Sequence, residues 1–197
     1  MGIGKQAKVL TEHQLRALLS WFGTRQFALR NRVIVLLSFK AGLRAKEIAH
    51  LRWNMVMDAK GSISDQIHLR NDATKGKSGR IIAMNKHLRR ALIDLARELA
   101  IGAGEADSFV VLTQRGQRTS AQVVVNLFQG WYRKLGFVGC SSHSGRRTFI
   151  TNAARKASTV GGSLRDVQQM AGHASLTTTA RYIETDAEAQ AKLVNII

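Results

Sequence analysis

The chain has no proline and a single cysteine in 197 residues. Without proline's fixed φ and missing N–H, nothing forces a break inside a helix, so long uninterrupted helices are expected. The lone Cys140 rules out an intramolecular disulfide and fits a reducing compartment. That thiol and the six histidines show no close metal-ligand spacing, so no structural metal is expected. Long apolar runs are also missing. The longest, "VIVLLSF" (Val33–Phe39), falls well short of the ~20 residues that span a bilayer. The opening "MGIGKQAK" is basic but lacks the apolar stretch of a secretory signal. Neither a basic amphipathic helix nor a lipidation signal is evident, so a membrane is not the expected partner. Acidic side chains are scarce, with Asp+Glu 13 against Lys+Arg 30.

What is present follows from that imbalance. A net charge of +17 on a soluble domain points to nucleic acid phosphate as the partner. A chain of 197 residues with 45% apolar content is long enough for one packed domain and short for two. "TEHQ" (Thr11–Gln14) reads as a capping box, followed by Leu15, Leu18, Leu19 and Phe22 at helical spacing. A second helix covers Phe27 to Ala41, with Gly42 as its stop, and "RAKEIAHL" starts a short third. From Trp53 to Met84, "WNMVMDA", "DQIHLR" and "RIIAMN" read as a small three-stranded antiparallel sheet with glycine-rich turns. Asn85 caps a helix to about Ala100 that presents Leu88, Leu92, Leu95 and Leu99 on one face. "SFVVL" is a short strand or an extended segment. Four further helical pieces follow, opened by "TSAQ", Ser142, Ser163 and "TTTA", and "EAQAKLVNII" ends the chain as another. The fold class expected is mainly α with a small antiparallel β-sheet, without repeats or a clear interdomain linker.

Four separated stretches carry the chemistry: "AGLRAKEIAHLRW", "TKGKSGRI", "HSGRRTF" and "AGHASLTTTARY". Taken in order, they resemble the tyrosine recombinase, or phage integrase, family, and specifically its catalytic domain. Each motif alone is a weak signal, and the ordered set is a strong one. The resemblance implies catalytic roles for Arg44, Lys75, His143, Arg146, His173 and Tyr182, with Lys77 the alternative to Lys75 in the same turn. It makes Glu47 a residue that orients a histidine or an arginine. Lys77, Arg80, Arg147, Arg155, Lys156, Arg165 and Arg181 read as phosphate contacts outside the chemistry.

These residue types suit metal-free cleavage of a phosphodiester. Arginines are permanently charged and fork onto phosphate, and their gain is largest where charge develops in the transition state. A tyrosine with a free pKa of about 10 must lose its proton as it attacks, and a histidine can accept it. The leaving 5′ oxygen needs a proton, which a lysine beside those cations can give. The function expected is site-specific DNA recombination through a covalent 3′-phosphotyrosine, with no cofactor and no metal. A non-catalytic DNA-binding regulator and a type IB topoisomerase are the alternatives.

The resemblance is incomplete in two respects. Most members carry a DNA-binding domain before the catalytic one. Here residues 1–8 read as a short basic tail and 9–197 as a single catalytic domain. Accessory DNA-binding proteins are candidates for the missing half. Gly145 and Ala171 stand where the family pattern has large apolar residues, so a thinner core is expected near the site. The expected partner is double-stranded DNA, with monomers in solution assembling into a tetramer on it. The expected location is cytoplasmic and nucleoid-associated.

Overall fold

The computed structural model describes residues 7–23, 25–71, 79–183 and 195. Its elements are α1 (Glu12–Phe22), α2 (Ala28–Ala41), α3 (Ala45–His50), β1 (Gln66–Leu69), β2 (Arg80–Ala83), α4 (Lys86–Glu98), α5 (Ala121–Lys134), α6 (Ser144–Lys156), α7 (Leu164–Ala171) and α8 (Leu176–Ala180). The architecture is mostly helical with a small antiparallel sheet. Among the described residues, no helix is long and apolar enough to cross a membrane.

Local sequence sets the helix ends. The Thr11 hydroxyl accepts the Gln14 N–H at 3.1 Å, and the Gln14 side chain accepts the Thr11 N–H at 2.9 Å. This reciprocal box satisfies two amides that the first turn of α1 would leave open. The Asn85 side chain does the same for His87 at the start of α4, and the Ser120 hydroxyl for Val123 in α5. Ser163 and Asp166 form a second reciprocal box at α7. Gly42 closes α2 at φ 66°, a left-handed conformation that L side chains rarely adopt.

Helix α2 is the centre of the fold. Val33 through Phe39 are buried on every side of it, and it packs against α1, α4 and α6. A helix apolar all round is buried all round. The main core gathers α1 to α5, where the Phe22 ring meets Trp131 edge-on at 4.9 Å. A second, smaller cluster of Ile150, Val167 and Ala171 joins α6 to α7, with Phe149 and Tyr182 packed against it.

Several sequence expectations change. Among the described residues the sheet has two strands, not three, with Ile67 opposite Ile82 and Leu69 opposite Arg80. Trp53–Met55 instead forms a 3-10 turn, and that segment contributes one bridge, Met57 to Ile63. Trp53, Met55 and Val56 are all buried, and a tight turn can point them at one core where an alternating strand cannot. "SFVVL" is extended chain: Phe109 bridges Arg52, and the Val110 N–H donates to the Leu51 carbonyl. Leu99 lies just past the end of α4 and is 40% exposed, so it is not part of the apolar face. His143, not Ser142, occupies the position before α6, and its N–H donates to the Ser141 hydroxyl. Ser175 caps α8, where a threonine had been expected. The expected terminal helix "EAQAKLVNII" lies outside the described residues, apart from Asn195.

The expected thin core at Gly145 is instead a close helix crossing. A Cβ built on Gly145 would stand 2.3 Å from the Ser38 Oγ and 2.7 Å from the Phe39 ring. One built on Gly42 would stand 2.4 Å from the Phe149 ring. The two glycines let α6 lie directly on α2. Gly145→Ala is therefore expected to destabilise the fold by about 1–3 kcal/mol through overpacking. Chemical denaturation measures this, and a stability within ~0.5 kcal/mol of wild type would contradict the tight crossing.

Candidate active site

Glu47 is the fixed point of the site. It is 1% exposed and lies on the first turn of α3, where its carboxylate reaches back to accept the Arg44 N–H at 2.8 Å. The Arg44 guanidinium donates to the same carboxylate at 3.1 Å. Arg80, at the start of β2, adds a two-pronged pair at 2.8 and 3.1 Å. Its Nε donates to the Met170 carbonyl at 3.0 Å, which ties the sheet to the end of α7. Burial pushes the Glu47 carboxyl up. Hydrogen bonds and charge from Arg80, then the N–H and charge of Arg44, outweigh burial and hold it below the usual carboxylate range. Glu47 therefore remains an anion that organises arginines.

Arg80, expected as a phosphate contact, has a side chain 8% exposed whose guanidinium pairs with Glu47 and whose Nε donates to the Met170 carbonyl.

Arg146 projects from the first turn of α6. It is 4% exposed. Its Nη1 donates to the Gly42 carbonyl at 2.5 Å, and its Nη2 to the Ala171 carbonyl at 2.6 Å. These carbonyls belong to the ends of α2 and α7, so one side chain draws three helices together. Helix C-termini offer partial negative charge, which suits a guanidinium. Burial, then the charge of Arg44, pushes Arg146 down to about 10, which leaves it cationic at neutral pH.

The left-handed Gly172, φ 61°, turns the chain out of α7 and delivers His173 beside Arg146. The His173 N–H donates to the Gln168 carbonyl, and the Gln168 side-chain amide donates back to the His173 carbonyl at 2.9 Å. Its Nε2 lies 3.0 Å from the Arg146 Nη2, and its Nδ1 lies 2.9 Å from the Thr179 Oγ1. Burial, then the charges of Arg146, Arg44 and Arg80, pushes His173 down to about 4, so it is neutral at physiological pH.

Tyr182 follows α8 and is half-buried. Its ring stacks on His173, with centroids 5.5 Å apart and planes 24° apart. The Arg147 guanidinium lies over the Tyr182 ring, 5.8 Å from its centre. His143, Arg146 and Arg147 share a face of α6 because residues three and four apart are neighbours on a helix.

These side chains line one cavity of about 490 Å³. Its wall comprises Arg44, His143, Arg146, Arg147, His173, Arg181 and Tyr182, with Ala7, Ser141 and Thr178. The structure thus brings together five of the six expected catalytic residues. The sixth, Lys75, and its alternative Lys77 lie outside the described residues. Of the outer contacts, Arg147 and Arg181 are in the cavity wall. Arg155 and Lys156 are exposed at the far end of α6, roughly 14 Å along the axis from Arg146 at 1.5 Å per residue. Arg165 is exposed on α7, with its guanidinium 3.3 Å from the Gln168 side-chain oxygen.

Sequence reasoning missed Thr179 and Gln168 as supports of His173. A signal existed for Thr179, which sits three residues before Tyr182, close enough for the Tyr182 N–H to donate to its carbonyl at 3.0 Å.

The other tyrosine, Tyr132, is 2% exposed in the main core. Burial, then the neighbouring Cys140, raises its phenol well above the usual value.

Four guanidinium groups and two imidazoles thus surround one accessible phenol, with no carboxylate in the wall among the described residues. Such a cavity favours an anion, and planar forked donors favour phosphate or carboxylate oxygens.

A family model described as the phage integrase family matches residues 8–189. The chain is 28% identical over 157 residues to "Tyrosine recombinase XerC" of Pelobacter propionicus, covering 79% of this chain and 48% of that protein. It is 29% identical over 165 residues to "Tyrosine recombinase XerD" of Mycobacterium tuberculosis, covering 78% and 47%. The chain thus spans about half the length of the curated relatives it matches. In fold, it superposes on the XerH site-specific recombinase bound to palindromic difH substrate in a post-cleavage complex. The TM-score is 0.74 at 20% identity, covering 99% of this chain and 54% of that one.

Proposed function

The chain belongs to the phage integrase family, and on that premise we propose that it breaks and rejoins double-stranded DNA through a covalent 3′-phosphotyrosine at Tyr182. One observation carries the reading: the accessible phenol shares a cavity with Arg44, Arg146, Arg147 and Arg181, with no carboxylate in its wall among the described residues. A scissile phosphate entering it meets Arg44 and Arg146 as charge donors on its non-bridging oxygens. These donors are held by buried contacts before DNA arrives, and preorganisation of that kind lowers a barrier where charge develops.

In this reading the Tyr182 oxygen attacks phosphorus and its proton passes to His143, since the two ring nitrogens of His173 face Arg146 and Thr179. The phosphorus–5′-oxygen bond breaks, and Lys75 protonates the leaving oxygen. Attack by a partner strand's 5′ hydroxyl reverses the step and releases Tyr182. No ATP is consumed, because the phosphotyrosine conserves the bond. Residues 9–197 act as the catalytic domain. Arg155, Lys156 and Arg165 hold flanking phosphates, monomers assemble into a tetramer on DNA, and accessory DNA-binding proteins help to choose the site.

The net charge of +17 makes binding a phosphate-dominated event. Log affinity for duplex DNA is expected to fall linearly with log salt, by about 0.9 per phosphate neutralised. A fluorescence titration from low to moderate salt measures the slope. A flat response would remove phosphate as the main partner. The catalytic half of the proposal is tested with a nicked duplex labelled at the 5′ end of the scissile strand, on which the protein is expected to become covalently joined to the labelled fragment through its new 3′ phosphate.

A further inference from the structure

Thr179 has no place in the chemistry above, yet its side chain is fully buried and touches the site. Its Oγ1 lies 2.9 Å from the His173 Nδ1, while the His173 Nε2 lies 3.0 Å from the Arg146 Nη2. A guanidinium can only donate, so Nε2 must present a bare lone pair and cannot carry the proton. The imidazole is neutral, so its one N–H sits on Nδ1 and donates to the Thr179 hydroxyl oxygen. We infer that Thr179 is a positioning residue of the reaction: its hydroxyl fixes His173 as the Nδ1–H tautomer, so that Nε2 is the acceptor that orients Arg146 in the phosphate cavity.

The rest of the local structure points the same way. Arg146 has two backbone acceptors, at the ends of α2 and α7. Those two contacts leave rotation of the guanidinium to be set by a third, which His173 supplies. Ser175 caps α8, which frees the threonines from that duty. The Tyr182 N–H donates to the Thr179 carbonyl at 3.0 Å, so one residue supports both the backbone of Tyr182 and the ring of His173. Without the Thr179 hydroxyl, the Nδ1–H loses its buried acceptor. The ring is then free to carry its proton on Nε2, which would face the guanidinium with a donor and turn it away.

The inference rests on the proposed function for its catalytic consequence and on geometry alone for the tautomer. The experiment therefore has two readouts. Nitrogen-15 NMR of the histidine-labelled protein without DNA reports which His173 nitrogen is protonated. The wild type is expected to show Nδ1–H, and Thr179→Val a mixture or the Nε2–H form. The second readout is cleavage of the nicked duplex. Thr179→Val is expected to lose about 10–10²-fold in cleavage rate, part of what one preorganised charge donor supplies, with duplex affinity within about twofold of wild type. Thr179→Ser restores the hydroxyl and is expected to recover both the tautomer and most of the rate, which separates hydrogen bonding from loss of fold. An Nε2–H wild type overturns the inference even if Thr179→Val fails to fold. So does a Thr179→Val protein that keeps the wild-type tautomer and rate. A wild type that shows Nδ1–H yet never cleaves DNA rejects the catalytic role of the site and leaves the tautomer assignment standing.

Discussion

Arg146→Ala is expected to lower strand cleavage at least ~10²–10³-fold, the size seen when one preorganised charge donor is removed from a developing oxyanion. Most duplex affinity is expected to remain, because the chain keeps 29 of its 30 lysines and arginines. The buried carbonyls of Gly42 and Ala171 lose their donor as well. A buried acceptor left unpaired costs about 1–3 kcal/mol, so the melting temperature should also fall. Arg146→Lys separates the two effects. Lysine keeps the charge but presents it as a compact point that cannot fork onto two carbonyls and a phosphate together. Its cleavage should stay well below wild type at a temperature where the protein is folded by circular dichroism. Wild-type cleavage by either variant would remove Arg146 from the chemistry.

Tyr182→Phe should abolish covalent attachment to DNA while leaving the fold almost unchanged. Phenylalanine keeps the ring that stacks on His173 and packs on the α6–α7 cluster. It lacks only the oxygen that would attack phosphorus. A packing role predicts a mild phenotype and a catalytic role a complete one, so the size of the loss decides between them. The change should leave the salt dependence of binding unaltered.

The sequence exposes the parts of this structure that depend on local chemistry. Thr11 with Gln14, Asn85, Ser120 and Ser163 are caps because their side chains serve amides two or three residues away, and that distance is readable in the chain. Gly42 is readable as a helix stop for the same reason. What fails is what depends on distant partners. Trp53–Val56 has strand-like composition, but its shape is set by a core that wants consecutive side chains on one side. Arg80 looks like any basic residue after a lysine-rich turn until Glu47, 33 positions earlier, is seen to hold it. Gly145 suggests a void, yet the space is filled by α2 coming closer. The cavity residues come from the starts of α3 and α6, the α7–α8 turn, α8 and the chain after it, with Ala7 ahead of α1. Their order in the sequence suggested one site, and only the tertiary structure shows Arg146 pinned between two helix ends. Thr179 stayed hidden because a threonine in a threonine-rich run first suggests a helix cap. Its role depends on where the Gly172 turn puts His173.

The central claim is that the Tyr182 oxygen becomes bonded to DNA. The direct measurement is to incubate the protein with a nicked duplex labelled at the 5′ end of the scissile strand, separate covalent adducts under denaturing conditions, digest them and identify the residue bearing the nucleotide by mass spectrometry. The account predicts a phosphotyrosine linkage at Tyr182, carried by a peptide from the Arg181–Ile183 region. A linkage at the buried Tyr132 or on any serine, or an adduct that persists in Tyr182→Phe, would contradict it.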